Sequence, residues 1–141
     1  MNIQSIASST IDAPFLYIPL YESKVQAGFP SPADDYLRNK LDLNEHLVKS
    51  PASTFFVKVT GDSMTGASIT EGDLLIVDKS IEAKDGSIVI AIVCGEFTVK
   101  RLKMSKSGYS YLAPENDNYE PIKLCSDSSI WGVVTKVIKN V

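Results

Sequence analysis

The strongest constraint on the fold is a series of short β-strand patterns that runs from about residue 53 to the C-terminus. The clearest two, residues 87–93 and 96–102, are separated only by Cys94-Gly95. A two-residue connection that ends in glycine predicts a tight β-hairpin. Further strand patterns lie at residues 55–59, 73–78, 108–113 and 131–141, with turn residues between them. This spacing predicts a mostly β chain folded as one compact, curled sheet.

The N-terminal part of the chain has a different pattern. Pro14, Pro19 and Pro30 interrupt any helix before residue 31, so residues 1 to about 30 are interpreted as an extended arm ahead of the β-rich part of the chain. Ser31 as N-cap and Pro32 at the first helical position predict a short helix to about Lys40. A second helical turn is expected over residues 42–47.

The charge of the chain argues against duplex DNA as a partner. The 141-residue chain has a net charge of −3 and a pI near 5.1, whereas binding to duplex DNA requires clustered Lys and Arg. Lys100-Arg101 with Lys103 and Lys106 is the only basic cluster. Direct sequence-specific DNA binding is therefore not expected.

Metal sites and membrane segments are not expected either. Cys94 and Cys125 lack metal-ligand spacing, and His46 is the only histidine, so we expect reduced thiols, a surface or structural histidine, and no metal or other cofactor. The longest apolar run covers residues 88–94, whereas a membrane helix needs about 20 residues. Without a recognisable signal peptide, a cytoplasmic location is expected.

One serine follows the first strong strand pattern in Gly61-Asp62-Ser63-Met64. Ser63 is a candidate nucleophile, although turns favour Gly, Asp and Ser for conformational reasons alone. A histidine base would have to be His46, so a lysine base, as in Ser-Lys hydrolases, is favoured. Lys100 lies within a strand pattern where burial could keep it neutral, and Lys58 is the alternative. From the residues alone, an inert turn serine and a solvated strand lysine remain open.

In combination, these segments resemble the UmuD branch of the LexA/UmuD family of self-cleaving Ser-Lys proteases. The resemblance covers nearly all of residues 25–141. It rests on Ala27-Gly28-Phe29-Pro30-Ser31-Pro32, Asp42-Leu43-Asn44, Val57 through Met64, Glu71-Gly72-Asp73-Leu74-Leu75-Ile76-Val77-Asp78, Gly95-Glu96-Phe97-Thr98-Val99-Lys100 and Trp131-Gly132-Val133-Val134.

The resemblance implies a specific reaction and site. Ser63 would be the nucleophile, Lys100 the general base, and Ala27-Gly28 the scissile bond in the chain's own arm. The cut would divide the chain into an arm, residues 1–27, and a β-rich protease-like domain, residues 28–141. The backbone amides of Ser63 and Met64 would form the oxyanion hole.

It also implies partners. Cleavage would be stimulated by a RecA filament on single-stranded DNA during the SOS response to DNA damage. The shortened homodimer would then join a UmuC-type Y-family polymerase for error-prone translesion synthesis. Two other interpretations remain: a non-catalytic polymerase-binding β-domain, and a repressor-type relative that lacks its DNA-binding domain.

Overall fold

The computed structural model describes residues 1–8 and 42–141 with their side chains, and the backbone of residues 17–21 and 37–41. The strands of these residues are β1 (Asn2–Ser8), β2 (Tyr17–Tyr21), β3 (Leu37–Asp42), β4 (Thr54–Thr60), β5 (Leu74–Asp78), β6 (Ile88–Val93), β7 (Glu96–Met104), β8 (Ser110–Ala113), β9 (Ile122–Lys123) and β10 (Ser128–Ile138). One α-helix, α1 (Leu43–Leu47), and 3-10 helices at Pro51–Ser53 and Thr65–Ala67 complete the described elements. None of the helices within these ranges has the length and apolarity needed to cross a membrane.

Eight strands form one antiparallel sheet in the order β1-β4-β5-β10-β6-β7-β8-β9. β1 also pairs with β7 through Asn2 and Thr98, so six of the strands form a closed ring. β2 and β3 form a separate antiparallel pair. The prediction of a mostly β, curled sheet is therefore confirmed.

The predicted hairpin at Cys94-Gly95 is also confirmed. β6 and β7 pair in continuous register from Ile88 opposite Arg101 to Val93 opposite Glu96. The turn residues have φ values of +50° at Cys94 and +79° at Gly95. Two left-handed residues in succession match the right-handed twist of the flanking strands.

Alternating side chains of the strands fill two apolar clusters. β4 directs Val57 and Val59 inward with no exposed area and leaves Lys58 exposed, which is the period of a half-buried strand. Each fully buried side chain of this size contributes about 1.5–3 kcal/mol through removal from water. The larger cluster contains Met1, Val57, Val59, Met64, Ile69, Leu75, Val77, Ile90 and Val99. The second contains Val89, Ala91, Leu102, Leu112 and Val133.

The helix predicted up to Lys40 is wrong in its last part, because Leu37–Asp42 is a strand that pairs with Tyr17–Tyr21. Backbone pairing between the two segments outweighs a weak local helix preference. The second predicted turn is confirmed as α1, where the Asp42 carboxylate accepts a hydrogen bond from the Asn44 amide at 3.1 Å. Ser31 and Pro32 lie outside the described residues.

Residues 2–8, assigned to the arm from the sequence, form β1 of the main sheet. They pair antiparallel with β4, with Asn2 opposite Thr60 and Ser8 opposite Phe55. Asn2 and residues 4–8 expose their side chains, whereas Met1 is 5% exposed and Ile3 is half-buried. The sequence lacks the usual strand signal here because backbone hydrogen bonds to β4 and only two inward side chains hold this segment.

Candidate active site

Ser63 lies in the connection between β4 and β5. After β4 ends at Thr60, Gly61 takes a φ of +92°, a conformation that L side chains rarely adopt. Met64, on the other side of the serine, is fully buried in the larger apolar cluster and anchors the turn. Ser63 is consequently held against the sheet and is 1% exposed.

Lys100 approaches Ser63 from β7. Its Nζ donates a hydrogen bond to Ser63 Oγ at 2.9 Å and another to the Val99 carbonyl at 3.3 Å. Lys100 is 5% exposed, whereas Lys58, the alternative base, lies on the exposed face of β4. Of the two lysines considered from the sequence, the structure brings only Lys100 to the serine.

Burial changes the proton affinity of Lys100. Removal from water lowers the pKa of this amine below its ordinary value of 10.5, because a charged ammonium is disfavoured in an apolar environment. A hydrogen bond with the N-terminal amino group acts in the opposite direction but is the smaller effect. Lys100 is therefore neutral more often at a given pH than a solvated lysine, as a proton acceptor requires.

The N-terminal residue occupies the same site. The Met1 amino group donates a hydrogen bond to Ser63 Oγ, and the Met1 carbonyl accepts from the Val99 amide at 3.0 Å. Burial first, then the hydrogen bond and charge of Lys100, lower the pKa of this amino group to about 5. A substrate carbonyl needs about 3 Å to Ser63 Oγ, so the Met1 amino group must move before a peptide can react there.

Residues 114–119 hold the serine turn from the other side. The Glu115 amide donates to the Ser63 carbonyl at 2.8 Å, and the Gly66 amide donates to the Glu115 carbonyl at 2.7 Å. The Asn116 side-chain amide donates to the Asp62 carbonyl at 2.9 Å. The backbone of the turn is thus tied to one loop at three residues, Asp62, Ser63 and Gly66.

Tyr119 adds a contact to the Asp62 side chain. Its hydroxyl donates to the Asp62 carboxylate, and this interaction raises the pKa of the Tyr119 phenol. Tyr119 is 43% exposed, so the contact lies at the rim of the site. It reinforces the attachment of the loop to the residue preceding Ser63.

The backbone amides of Ser63 and Met64 are the two donors predicted for an oxyanion hole. Within the part of the chain that the structure describes, neither donates a hydrogen bond to a protein group. Two adjacent uncommitted N–H groups beside a nucleophile are what an oxyanion site needs. Their assignment to that role remains a prediction.

The other predicted residues fall as follows. Ala27 and Gly28 lie outside the described residues. His46 is exposed on α1, and both cysteines are free and exposed. The predicted basic cluster is divided: Lys100 is buried and Arg101 forms an ion pair with Glu115, whereas Lys103 is half-buried and Lys106 is exposed. Among the described residues, no group of three or more His, Cys, Asp or Glu side chains could hold a metal ion.

Sequence reasoning missed the parts of the site contributed by Met1 and Glu115. Both are distant from Ser63 in the chain, with Met1 62 positions before it. Pro114-Glu115-Asn116-Asp117-Asn118 was recognisable only as a turn. No local pattern distinguishes a turn that contacts an active site from one that faces solvent.

Comparison with known proteins places these features in a family. Residues 19–135 match the family described as Peptidase S24-like. The chain is 46% identical over 125 residues to Protein ImpA of Salmonella typhimurium, which covers 85% of this chain and 82% of the relative. Protein MucA of Escherichia coli is 43% identical over 121 residues, covering 84% and 82%.

A longer relative is similar over the same region. The LexA repressor of Shewanella denitrificans is 41% identical over 128 residues, which are 89% of this chain and 61% of the repressor. Residues 19–135, which match the family, contain both β4, which leads to Ser63, and β7, which carries Lys100. The chain therefore belongs to the Peptidase S24-like family.

Proposed function

We propose that this protein is a serine endopeptidase that cleaves its own chain between Ala27 and Gly28, with Ser63 and Lys100 as a catalytic dyad. The observation that carries the proposal is the 2.9 Å hydrogen bond between Lys100 Nζ and Ser63 Oγ in a buried site. A buried, neutral lysine in contact with a serine hydroxyl has the chemistry of a general base.

The chemistry proceeds through an acyl-enzyme. Neutral Lys100 takes the proton of Ser63 as Oγ bonds to the Ala27 carbonyl carbon, and the Ser63 and Met64 amides stabilise the resulting oxyanion. The C–N bond then breaks, and Lys100 returns the proton to the Gly28 amine. Water attacks the ester with Lys100 again as base, which yields an Ala27 carboxylate and restores Ser63.

Ala27 and Gly28 suit a substrate segment that must approach a backbone closely. A glycine after the scissile bond has no Cβ to collide with the cleft, and alanine adds only a methyl group. The larger Val25 and Phe29 flank this pair and offer apolar anchors on either side.

The proposed biological role is in SOS mutagenesis, in the cytoplasm. A RecA filament on single-stranded DNA would stimulate the cleavage. The shortened homodimer, residues 28–141, would then serve as accessory subunit of a UmuC-type translesion polymerase. Support comes from the resemblance to UmuD and from the 46% and 43% identity to ImpA and MucA.

A non-catalytic polymerase-binding β-domain is the second candidate. The observation that favours it is the Met1 amino group, which occupies the position at Ser63 Oγ that a substrate carbonyl would need. In this alternative, β1 stays in place and Ser63 never meets a peptide bond.

The test is intact mass spectrometry of the purified protein during incubation at pH 7 to 10, with and without RecA filaments. We expect scission at Ala27-Gly28, faster as the pH rises because the neutral fraction of Lys100 increases. The midpoint of this rise should lie below 10.5, since burial lowers the pKa of Lys100. Ser63→Ala and Lys100→Ala should each reduce the rate at least about 1000-fold.

Lys58→Ala is the matched control, because it removes an exposed strand lysine from β4. We expect its cleavage rate to equal that of the wild type. If the wild-type protein keeps its intact mass even with activated RecA, the proposed self-cleavage is contradicted. The non-catalytic polymerase-binding domain would then be the better interpretation.

A further inference from the structure

Glu115 connects the two halves of the candidate dyad. Its backbone bonds to the Ser63 carbonyl and the Gly66 amide, as described above. Its carboxylate forms an ion pair with Arg101 Nε, and Arg101 directly follows Lys100 on β7. One residue therefore links the nucleophile's turn to the strand that carries the base.

The strand end of this link is fixed as well. Arg101 Nη1 donates to the Gly86 carbonyl at 2.6 Å, so the guanidinium bridges two loops at the edge of β7. Arg101 also lies opposite Ala113, two residues before Glu115, in the pairing of β7 with β8. These contacts leave the Glu115 side chain little freedom relative to Lys100.

The turn end is fixed by close packing. A Cβ added to Gly66 would lie 2.6 Å from the Glu115 carbonyl oxygen, far inside van der Waals contact. The serine turn therefore touches the loop backbone directly. A displacement of Glu115 moves the turn, and with it Ser63 Oγ.

We propose that the Arg101–Glu115 ion pair is a positioning device that sets the distance between Ser63 Oγ and Lys100 Nζ. The inference rests on the proposed function, in which Ser63 is the nucleophile and Lys100 the base. Neither Arg101 nor Glu115 touches a reacting atom. Both act through the backbone of their neighbours, on one side Lys100 and on the other the turn of Ser63.

Stability and reactivity should respond differently to loss of the pair. Its side chains are 25% and 30% exposed, and partly exposed ion pairs contribute little to the free energy of folding. In contrast, a displacement of about 1 Å between reacting groups can reduce a rate about 100-fold. If the ion pair acts through position, its loss should lower the rate of reaction at Ser63 with little change in thermal stability.

The experiment measures two reactions of the full chain in Glu115→Ala, Arg101→Ala, the double variant and Glu115→Gln. One is self-cleavage, followed by intact mass. The other is phosphonylation of Ser63 by a fluorophosphonate, in which Oγ bonds to phosphorus, fluoride leaves and Lys100 takes the proton. Both are recorded from pH 7 to 10, and thermal midpoints are measured in parallel.

We expect each alanine variant to slow both reactions about tenfold. The double variant should be no slower than the slower single variant, because the two residues act as one unit. Glu115→Gln, which keeps the size and an acceptor oxygen, should recover part of the rate. The midpoint of the pH profile should stay at the wild-type value, and thermal midpoints should stay within about 3 °C of the wild type.

Lys139→Gln is the matched control, because it breaks another ion pair of the same domain, between Lys139 and Asp73. Lys139 bonds to Thr70 and Asp73, at the far end of the connection from Ser63, and makes no hydrogen bond to residues 61–66 or 114–119. It should react at the wild-type rate. Wild-type rates in both alanine variants, or single losses that multiply in the double variant, would overturn the inference.

The two readouts separate this inference from the proposed function. If the wild type is phosphonylated but never cleaved, the self-cleavage proposal fails while the phosphonylation rates still decide the role of the pair. If the wild type cleaves and the variants cleave equally fast, only the positioning role fails. A wild type that shows neither reaction overturns both.

Discussion

Lys100 has different acid–base properties from an exposed lysine because its side chain is buried beside Ser63. A lysine in water is protonated at neutral pH, but this one is 5% exposed and shares Ser63 Oγ with the Met1 amino group. The hydrogen bond and charge of Lys100 disfavour a positive charge on the Met1 amine, and burial disfavours a positive charge on both amines. The same burial that lowers the pKa of Lys100 therefore costs folding stability.

We predict that Lys100→Met stabilises the protein at neutral pH by about 1 kcal/mol while abolishing cleavage. Below the folded-state pKa, Lys100 is charged in both states and the folded protein bears the full cost of burying that charge. The cost fades as the pH rises towards the unfolded value of 10.5, where both states become neutral. The gain should accordingly be largest near pH 7 and shrink towards pH 10.

Thermal unfolding at both pH values measures this difference, with an expected rise in Tm of about 2–4 °C at pH 7. Lys58→Met is the control, since its exposed ammonium has no burial cost, and we expect no change in its Tm. A Tm below that of the wild type at pH 7 would show that the hydrogen bonds of Lys100 outweigh its burial.

At the scale of elements, the β6–β7 hairpin sets the position of Lys100. Its turn has left-handed backbone at both Cys94 and Gly95, and only the second of these is a residue that adopts it without strain. Asn-Gly is the preferred sequence for such a turn. The hairpin therefore forms with a non-ideal residue at its first turn position.

We predict that Cys94→Asn stabilises the protein by about 0.5–1 kcal/mol, because asparagine tolerates the left-handed conformation better than cysteine. Cys94 is exposed, so no packing is lost. Chemical denaturation measures the change. Cys125→Asn, at the other exposed cysteine, is the control and should not stabilise; an equal gain there would point to removal of a thiol rather than to the turn.

β1 begins directly after Met1, whose amino group contacts Ser63 Oγ. Ile3 is half-buried against the larger apolar cluster and lies opposite Val59. Its burial contributes about 1–2 kcal/mol to the attachment of β1. An aspartate at this position would place a charge against apolar surface and weaken that attachment.

We predict that Ile3→Asp accelerates self-cleavage about threefold to tenfold, since the Met1 amino group leaves Ser63 more often. The rate of fragment formation by intact mass measures the effect. Gln4→Asp introduces the same charge at an exposed position of β1 and should have no effect. A slower or unchanged rate in Ile3→Asp would show that β1 does not limit access to the serine.

At the scale of the whole molecule, β1 closes the sheet by pairing with both β4 and β7. The proposed cut between residues 27 and 28 separates β1 from the rest of the chain. The released segment contains β1 and β2, which would then be held only by their pairing with β4, β7 and β3. Once the chain is cut, these pairings lose the advantage of intramolecular attachment, so the segment should dissociate. The reaction would then open the ring and expose the edge of β4.

We predict that cleavage makes hydrogen exchange at least about tenfold faster at the Val99 amide, which donates to Met1, and along β4. Amides between β6 and β10 are the internal control and should keep their protection, because neither strand pairs with β1. Exchange measured on the intact and the cleaved protein decides the matter. Unchanged protection of β4 and Val99 would mean that the released arm stays bound.

The agreement between sequence and structure follows the range of the interactions involved. The β6–β7 hairpin and α1 depend on contacts between neighbours in the chain, and β4 has the side-chain period of a half-buried strand. Side-chain period, turn residues and caps were therefore enough to predict these elements. The helix expected to reach Lys40 failed because its last residues pair with Tyr17–Tyr21, far back in the chain. Strand pairing at that separation has no local signature.

The same distinction applies to the site. The residues themselves predicted that Ser63 follows a strand and a glycine turn, and that its base is a lysine rather than His46. Lys58 precedes Ser63 by only five residues on the same strand and turn, so the sequence positions already favoured Lys100, and the family resemblance strengthened that assignment. Tertiary structure alone decided that Lys100 Nζ lies 2.9 Å from Ser63 Oγ, that Glu115 ties the turn to β7, and that Met1 occupies the site. The reason is physical: sequence period determines which face of a strand a side chain takes, but closure of the sheet determines which faces meet.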